Sequence, residues 1–181
     1  KKLCEAAFLE RLNNAHGAAR PLNEVVKALE RPLNGPSMLF RETLFQRLSW
    51  CRVKSLHDQQ RHLAWAWLQR GDLLRAAMYA VEAVISKLCH ECDVNAMNYR
   101  HRREARELLD KKIKTGEYVG PIAHRIKEVK MLERLRNCLA HGQPDRDPQI
   151  GRIVHNPAEL PEKLHQLFET VLGNPAKPWP W

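Results

Sequence analysis

The stretch from residue 73 to about residue 92 constrains the fold more than any other, because it is apolar on nearly every side of a helix. Between Arg75 and Lys87 its only carboxylate is Glu82. A helix that is hydrophobic all round must be covered by other elements, so we predict that it lies at the centre of a bundle. Asp72 is a suitable N-cap for it. We expect Glu82 to have a cationic partner, since a buried unpaired charge is costly.

The rest of the chain also has helical patterns. Glycine is scarce and strand-like alternation is rare, so we predict an all-α bundle of about eight helices. The predicted helices are Leu3–His16, Pro21–Arg31, Ser37–Val53, His57–Gln69, Leu73–Cys92, Asn98–Lys114, Pro121–His141 and Leu160–Leu172. Gly17 is the predicted stop of the first helix, Leu39 and Phe40 are predicted core residues of the third, and residues 143–156 are predicted to be a polar loop. We divide the chain into an N-terminal helical segment (1–55), a main helical domain (56–172) and an extended tail rich in Pro and Trp (173–181).

The charge of the chain points to a polyanionic partner. Lys and Arg number 30 against 21 Asp and Glu, giving a net charge of +9. Nucleic acid is the first such partner to consider, and the alternative is a basic surface with no specific partner. The five cysteines are odd in number and scattered, which favours reduced thiols and a cytoplasmic protein. No apolar run approaches the ~18 residues of a membrane span, so we expect no membrane association.

The end of the helix predicted for residues 121–141 carries three polar residues that suit phosphate chemistry. They are Arg136, Asn137 and His141. Arginine offers a planar fork of donors to phosphate oxygens, and histidine exchanges a proton near neutral pH. The alternative is a surface arginine and a histidine that complements the helix dipole.

This spacing carries a resemblance to a known family. Arg136-Asn137-Cys138-Leu139-Ala140-His141 resembles the Arg-x4-6-His motif of HEPN domains. The segment from Gln69 to Ala83 resembles the helix that precedes the motif helix in CRISPR-associated CARF–HEPN ribonucleases. The resemblance covers about residues 56–172. It implies an all-helical, dimeric, metal-independent endoribonuclease that cleaves single-stranded RNA and leaves 2′,3′-cyclic phosphate and 5′-OH ends.

The resemblance also implies roles for the site residues. Arg136 would stabilise the negative charge of the pentacoordinate phosphorane, and His141 would act as general acid or base or hold the scissile phosphate. Asn137 would orient the imidazole or a phosphate oxygen. Glu82 would pair with Arg136 from behind, or else with a local Lys or Arg. In the family, two motif helices face each other across a twofold axis and form one composite site.

Other basic residues are candidates for RNA contact, and a metal is not expected. We predict RNA-binding roles for Arg102, Arg103, Arg106, Lys130 and Arg134, with a solvated surface as the alternative. Cys89 and Cys92 have the spacing of a zinc pair, but structural zinc needs four ligands and no second pair exists. We therefore predict no metal and no cofactor.

The resemblance suggests a biological setting. The chain would be the effector portion of a CRISPR-associated or other antiviral defence protein. If a CARF sensor domain is attached in the parent protein, the resemblance implies activation by cyclic oligoadenylate, which would bind outside this chain. Two alternatives stay open: a non-catalytic HEPN module that binds RNA or protein, and a HEPN toxin held by an antitoxin.

Overall fold

The computed structural model describes residues 1–32, 34–115, 121–142 and 145–180. Over these ranges the chain forms nine α-helices and no strand, which confirms the predicted all-α class. The helices are α1 (Lys2–Arg11), α2 (Ala15–Leu29), α3 (Met38–Leu48), α4 (Leu56–Gln69), α5 (Leu73–Glu91), α6 (Tyr99–Lys114), α7 (Pro121–His141), α8 (Pro148–Val154) and α9 (Glu159–Val171). Two short 3-10 helices, Gly35–Ser37 and Ser49–Arg52, flank α3. The chain divides into two compact units, Lys1–Gln59 and Gln60–Trp181.

In the first unit, the predicted break at Gly17 is wrong. Helix α1 ends at Arg11, and α2 begins before Gly17 and contains it. The side chain of Asn14 explains the difference, since its Oδ1 accepts a hydrogen bond of 2.8 Å from the Gly17 N–H. This is an N-cap contact, which starts a helix. Pro21 therefore lies inside α2 and not at its first position.

Helix α3 is shorter and less buried than predicted. The single helix expected over residues 37–53 is instead α3 with a 3-10 helix on each side. Leu39 is 77% exposed and Phe40 is 62% exposed, so their prediction as core residues is wrong. Met38, Leu39 and Phe40 are consecutive, and residues about 100° apart around a helix cannot all face one neighbour.

Helix α5 is the centre of the second unit, as predicted. It packs against α6, α7 and α9, and more than half of its side chains are buried. The Oδ1 of Asp72 accepts a hydrogen bond of 3.0 Å from the Arg75 N–H, which confirms the predicted cap. The predicted inward face of α9 is also confirmed. Its buried side chains include Leu164, Leu167, Phe168 and Val171.

Helix α8 was not predicted, and it lies within the stretch expected to be a polar loop. Asp147 caps it, with Oδ1 accepting a hydrogen bond of 2.9 Å from the Gln149 N–H. Pro148 occupies the first position, where its missing N–H is not needed. Ile150 and Ile153 are buried. A helix of only seven residues is too short for an apolar periodicity to stand out in the sequence.

The C-terminal tail contains a turn, whereas the sequence predicts an extended segment. The Lys177 N–H donates a hydrogen bond of 2.9 Å to the Asn174 carbonyl. The buried guanidinium of Arg61 donates to the same carbonyl. The indole of Trp65 donates to the Gly173 carbonyl at 2.9 Å. These contacts fasten the first part of the tail to α4.

Within the described ranges, none of the helices has the length and apolar character that a membrane crossing requires.

Candidate functional site

Helix α7 ends where the sequence predicts, and its last turn carries the motif. Gly142 has a φ of +63°, a left-handed conformation that glycine adopts at low cost. Its N–H donates a hydrogen bond of 2.8 Å to the Cys138 carbonyl. The helix therefore stops at His141, and the side chains of Asn137 and His141 are exposed.

The three motif residues do not share one face of α7. Arg136 follows Leu132 by four residues and precedes Leu139 by three, so it lies beside the apolar face. Asn137 and His141 are four apart on an exposed face. His141 is five positions after Arg136, which places the two side chains roughly 140° apart around the helix axis. No hydrogen bond joins any two of these three side chains within the described ranges.

Arg136 is partly buried and has no acceptor. Its Nε atom is inaccessible to solvent and makes no hydrogen bond to any described residue. No ion pair with a described carboxylate compensates its charge. A buried donor without a partner is costly. The described residues thus leave the charge of this guanidinium uncompensated.

Five other basic residues of α6 and α7 are engaged with carboxylates. Arg106 contacts Glu133 at 2.9 Å, and Lys130 contacts both Asp110 and Glu133. Within α6, Arg103 pairs with Glu107, four residues later, at 3.3 Å. The residues predicted to bind RNA thus have ion pairs within the chain, and their contact with RNA stays a prediction. The complete set with carboxylate partners is Arg102, Arg103, Arg106, Lys130 and Arg134.

Glu82, expected beside Arg136, pairs with Arg102 instead. The same guanidinium donates hydrogen bonds to the Ala96 carbonyl at 3.2 Å and to the Ser86 hydroxyl at 3.4 Å. Both charged side chains are mostly buried. The pair therefore fastens the start of α6 to α5. Its role in the structure is to hold these two helices together.

A second ion-pair cluster joins α7 to Asp145 and Asp147, which precede α8. The Nε of Arg134 donates to Asp145 at 3.0 Å and its Nη1 to Asp147 at 3.2 Å. The pKa of the Asp145 carboxyl is lowered from 3.8 to about 2, mainly by the hydrogen bond from Arg134 and next by the Asp147 N–H, which donates to it at 2.9 Å. In the sequence, two carboxylates near the motif are the one sign of this cluster.

The cysteine pair shows no sign of a metal centre. Cys89 is buried and Cys92 is exposed. Burial is the main cause that raises the pKa of the Cys89 thiol. Within the described part of the chain, no group of three or more His, Cys, Asp or Glu side chains is arranged to hold a metal ion.

Comparison of the chain with protein-family models, with curated proteins and with solved structures finds no match.

Proposed function

We propose that this protein is a HEPN-type endoribonuclease that cleaves single-stranded RNA without a metal ion. The observation that carries the proposal is the partly buried, unpartnered Arg136 in the same helix end as the exposed Asn137 and His141. Neighbouring cations have carboxylate partners, whereas this one is left for an anion. The resemblance of the motif to that of HEPN domains supports the same conclusion.

RNA supplies the nucleophile for this reaction, its own 2′-OH. The bond from the 2′-oxygen to phosphorus forms as the bond from phosphorus to the 5′-oxygen breaks. Either His141 takes the 2′-OH proton as a base while water protonates the leaving 5′-oxygen, or protonated His141 gives a proton to the leaving 5′-oxygen while water accepts the 2′-OH proton. Arg136 stabilises the charge on the phosphorane oxygens. Asn137, on the same face as His141, orients the imidazole or a phosphate oxygen.

The proposed enzyme is a homodimer with one composite cleft. Arg136 and His141 lie on faces of α7 that are roughly 140° apart. A second α7 facing the first brings further motif residues to the same phosphate, as the family resemblance implies. In our proposal the dimer is an antiviral effector, controlled by a CARF sensor domain that binds cyclic oligoadenylate outside this chain.

The test is incubation of the purified chain with end-labelled single-stranded RNA in EDTA, followed by analysis of the product ends. We expect cleavage to persist and to leave 2′,3′-cyclic phosphate and 5′-OH ends. Activity that is lost in EDTA and restored by a divalent ion would contradict the metal-independent mechanism. RNA that binds without being cleaved would favour the non-catalytic module.

Substitution of His141 separates catalysis from folding. His141→Ala should cost at most about 1 kcal/mol of stability, the scale of a charge–dipole contact at a helix end. Its cleavage rate should fall by ~10²-fold or more, as expected for the loss of a general acid or base. His16→Ala, at another exposed helical histidine, is the matched control and should cleave at the wild-type rate. Equal rates for the two variants would remove the catalytic assignment.

A further inference from the structure

Two ion pairs fix the relative direction of α6 and α7. Asp110 of α6 contacts Lys130 of α7, and Arg106 contacts Glu133 at 2.9 Å. Moving from residue 110 back to residue 106 on α6 thus corresponds to moving from residue 130 forward to residue 133 on α7. The two helices run antiparallel. The start of α6 therefore lies at the end of the bundle where α7 finishes with its motif.

The residues of α6 that face α7 continue to the first residue of the helix. Asp110 and Arg106 are four apart and both reach α7. Arg103 precedes Arg106 by three residues, and Tyr99 precedes Arg103 by four. Spacings of three and four keep residues on one face of a helix. Tyr99 and Arg103 therefore extend this face towards the motif end.

The matching face of α7 ends in two motif residues. Asn137 follows Glu133 by four residues, and His141 follows Asn137 by four, so all three share a face. Extending the antiparallel register places Arg103 at the level of Asn137, and Tyr99 at the level of His141. All four of these side chains are exposed, which leaves the space between the helix ends accessible from solvent.

Tyr99 combines an anchored backbone with an exposed aromatic side chain. Its side chain is 79% exposed, although it lies in a well-anchored turn. The Oδ1 of Asn98 accepts a hydrogen bond of 2.9 Å from the Arg100 N–H and so caps the helix. The ion pair between Arg102 and Glu82 fastens the same turn to α5. The backbone of Tyr99 is thus held in place while its ring can meet a ligand.

We propose that Tyr99 and Arg103 bind an unpaired nucleotide of single-stranded RNA beside the phosphate held at the end of α7. The ring of Tyr99 stacks on the base, and Arg103 contacts the adjacent backbone phosphate. The ion pair of Arg103 with Glu107 is well exposed, so RNA can replace it at little cost. Because stacking needs an unstacked base, the surface selects single strands over duplexes. This inference rests on the proposed ribonuclease function.

The test measures RNA affinity with a probe that the enzyme cannot cleave, a fluorescent 2′-O-methyl single-stranded oligonucleotide. Tyr99→Ala should weaken binding by at least about 5-fold, the lower end of base–aromatic stacking. Tyr99→Phe should bind like the wild type, since its ring stacks equally well. Leu108→Ala is the control on α6, because Leu108 lies nine residues after Tyr99, on the opposite side of the helix. It should leave affinity unchanged.

Arginine substitutions provide a second, matched comparison. Arg100 and Arg103 are both exposed and both pair with a glutamate four residues later, but only Arg103 lies on the face towards α7. Arg103→Gln should weaken binding and reduce its salt dependence, while Arg100→Gln should do so less. Equal affinity of Tyr99→Ala and wild type overturns the inference, even if the wild type cleaves RNA. A wild type that neither binds nor cleaves single-stranded RNA overturns both this inference and the proposed function.

Discussion

At the scale of single residues, the surroundings of Arg136 differ from those of its neighbour Arg134. Its Nε is buried without a partner among the described residues. Two residues earlier, Arg134 has two carboxylates. Unsatisfied polar groups are rare in folded proteins, and they concentrate at functional sites. The contrast within one turn of α7 therefore points to a functional reason for Arg136.

Replacement of Arg136 by methionine should lower the cleavage rate without lowering the stability of the fold. Met keeps an apolar stem for packing but removes a buried donor that costs about 1–3 kcal/mol when unpaired. We expect Arg136→Met to be at least as stable as the wild type in urea unfolding. Its cleavage rate should fall by ~10²-fold or more through the lost stabilisation of the phosphorane. A loss of stability above about 2 kcal/mol would instead indicate a structural ion pair.

At the scale of helices, the sequence predicts those elements whose ends are marked by a single strong residue. Asp72 caps α5 and Gly142 ends α7, both as expected from their residue types. The prediction that Gly17 ends a helix was wrong because glycine is also tolerated in the first turn of a helix. The Asn14 side chain caps that turn by accepting a hydrogen bond from the Gly17 N–H. Helix α8 was missed because its stability comes from burying Ile150 and Ile153 against other helices, which a local pattern does not reveal.

The ion pair between Arg102 and Glu82 should stabilise the junction of α5 and α6. Arg102→Met leaves a mostly buried carboxylate unpaired. We expect a loss of about 2–3 kcal/mol, somewhat below the value for a fully buried pair because both groups retain some exposure. Glu82→Gln in the same chain should recover part of that loss. Urea unfolding of the two single variants and the double variant measures the coupling. Additive effects would show that the contact contributes nothing.

The Arg134–Asp145 pair predicts a defined response to acid. In the folded state the pKa of the Asp145 carboxyl is about 2, below its unperturbed value of 3.8. The stabilisation is therefore complete above pH 4 and disappears as the pH falls through about 2. Unfolding of the wild type and of Asp145→Asn should be compared between pH 7 and pH 2. The difference in their free energies of unfolding should be constant down to about pH 4 and then shrink. A constant difference at every pH would exclude this linkage.

At the scale of the whole molecule, the spacing of residues along α7 predicted a candidate site. It did not predict which basic residues of α6 and α7 would have carboxylate partners. The net charge of +9 suggested free basic side chains along α6 and α7. The partners of long side chains depend on three-dimensional packing, so Arg106 pairs with Glu133 and Lys130 pairs with Asp110 across the two helices. Burial of Arg136 likewise depends on how α7 packs. The sequence therefore indicated which residues to consider, and the packing distinguished Arg102, Arg103, Arg106, Lys130 and Arg134, which have carboxylate partners, from Arg136, which has none among the described residues.

The proposed composite cleft requires two chains, and its last prediction concerns assembly. Because Arg136 and His141 lie roughly 140° apart on α7, we expect neither to form a complete phosphate site within one chain. Sedimentation should show a homodimer, and the cleavage rate per chain should fall on dilution in step with the dimer fraction.

Mixing experiments sharpen this test. An excess of His141→Ala chain, added to the wild type and left to exchange, should suppress cleavage by forming mixed dimers with a defective cleft. The same excess of Leu108→Ala chain should not suppress it, since Leu108 lies on the side of α6 away from α7. A monomer that cleaves at the full rate, or wild-type activity that an excess of His141→Ala chain leaves unchanged, would show that each chain carries a complete site. In that case the side chain of Arg136 would have to reach the exposed face of α7 within a single chain.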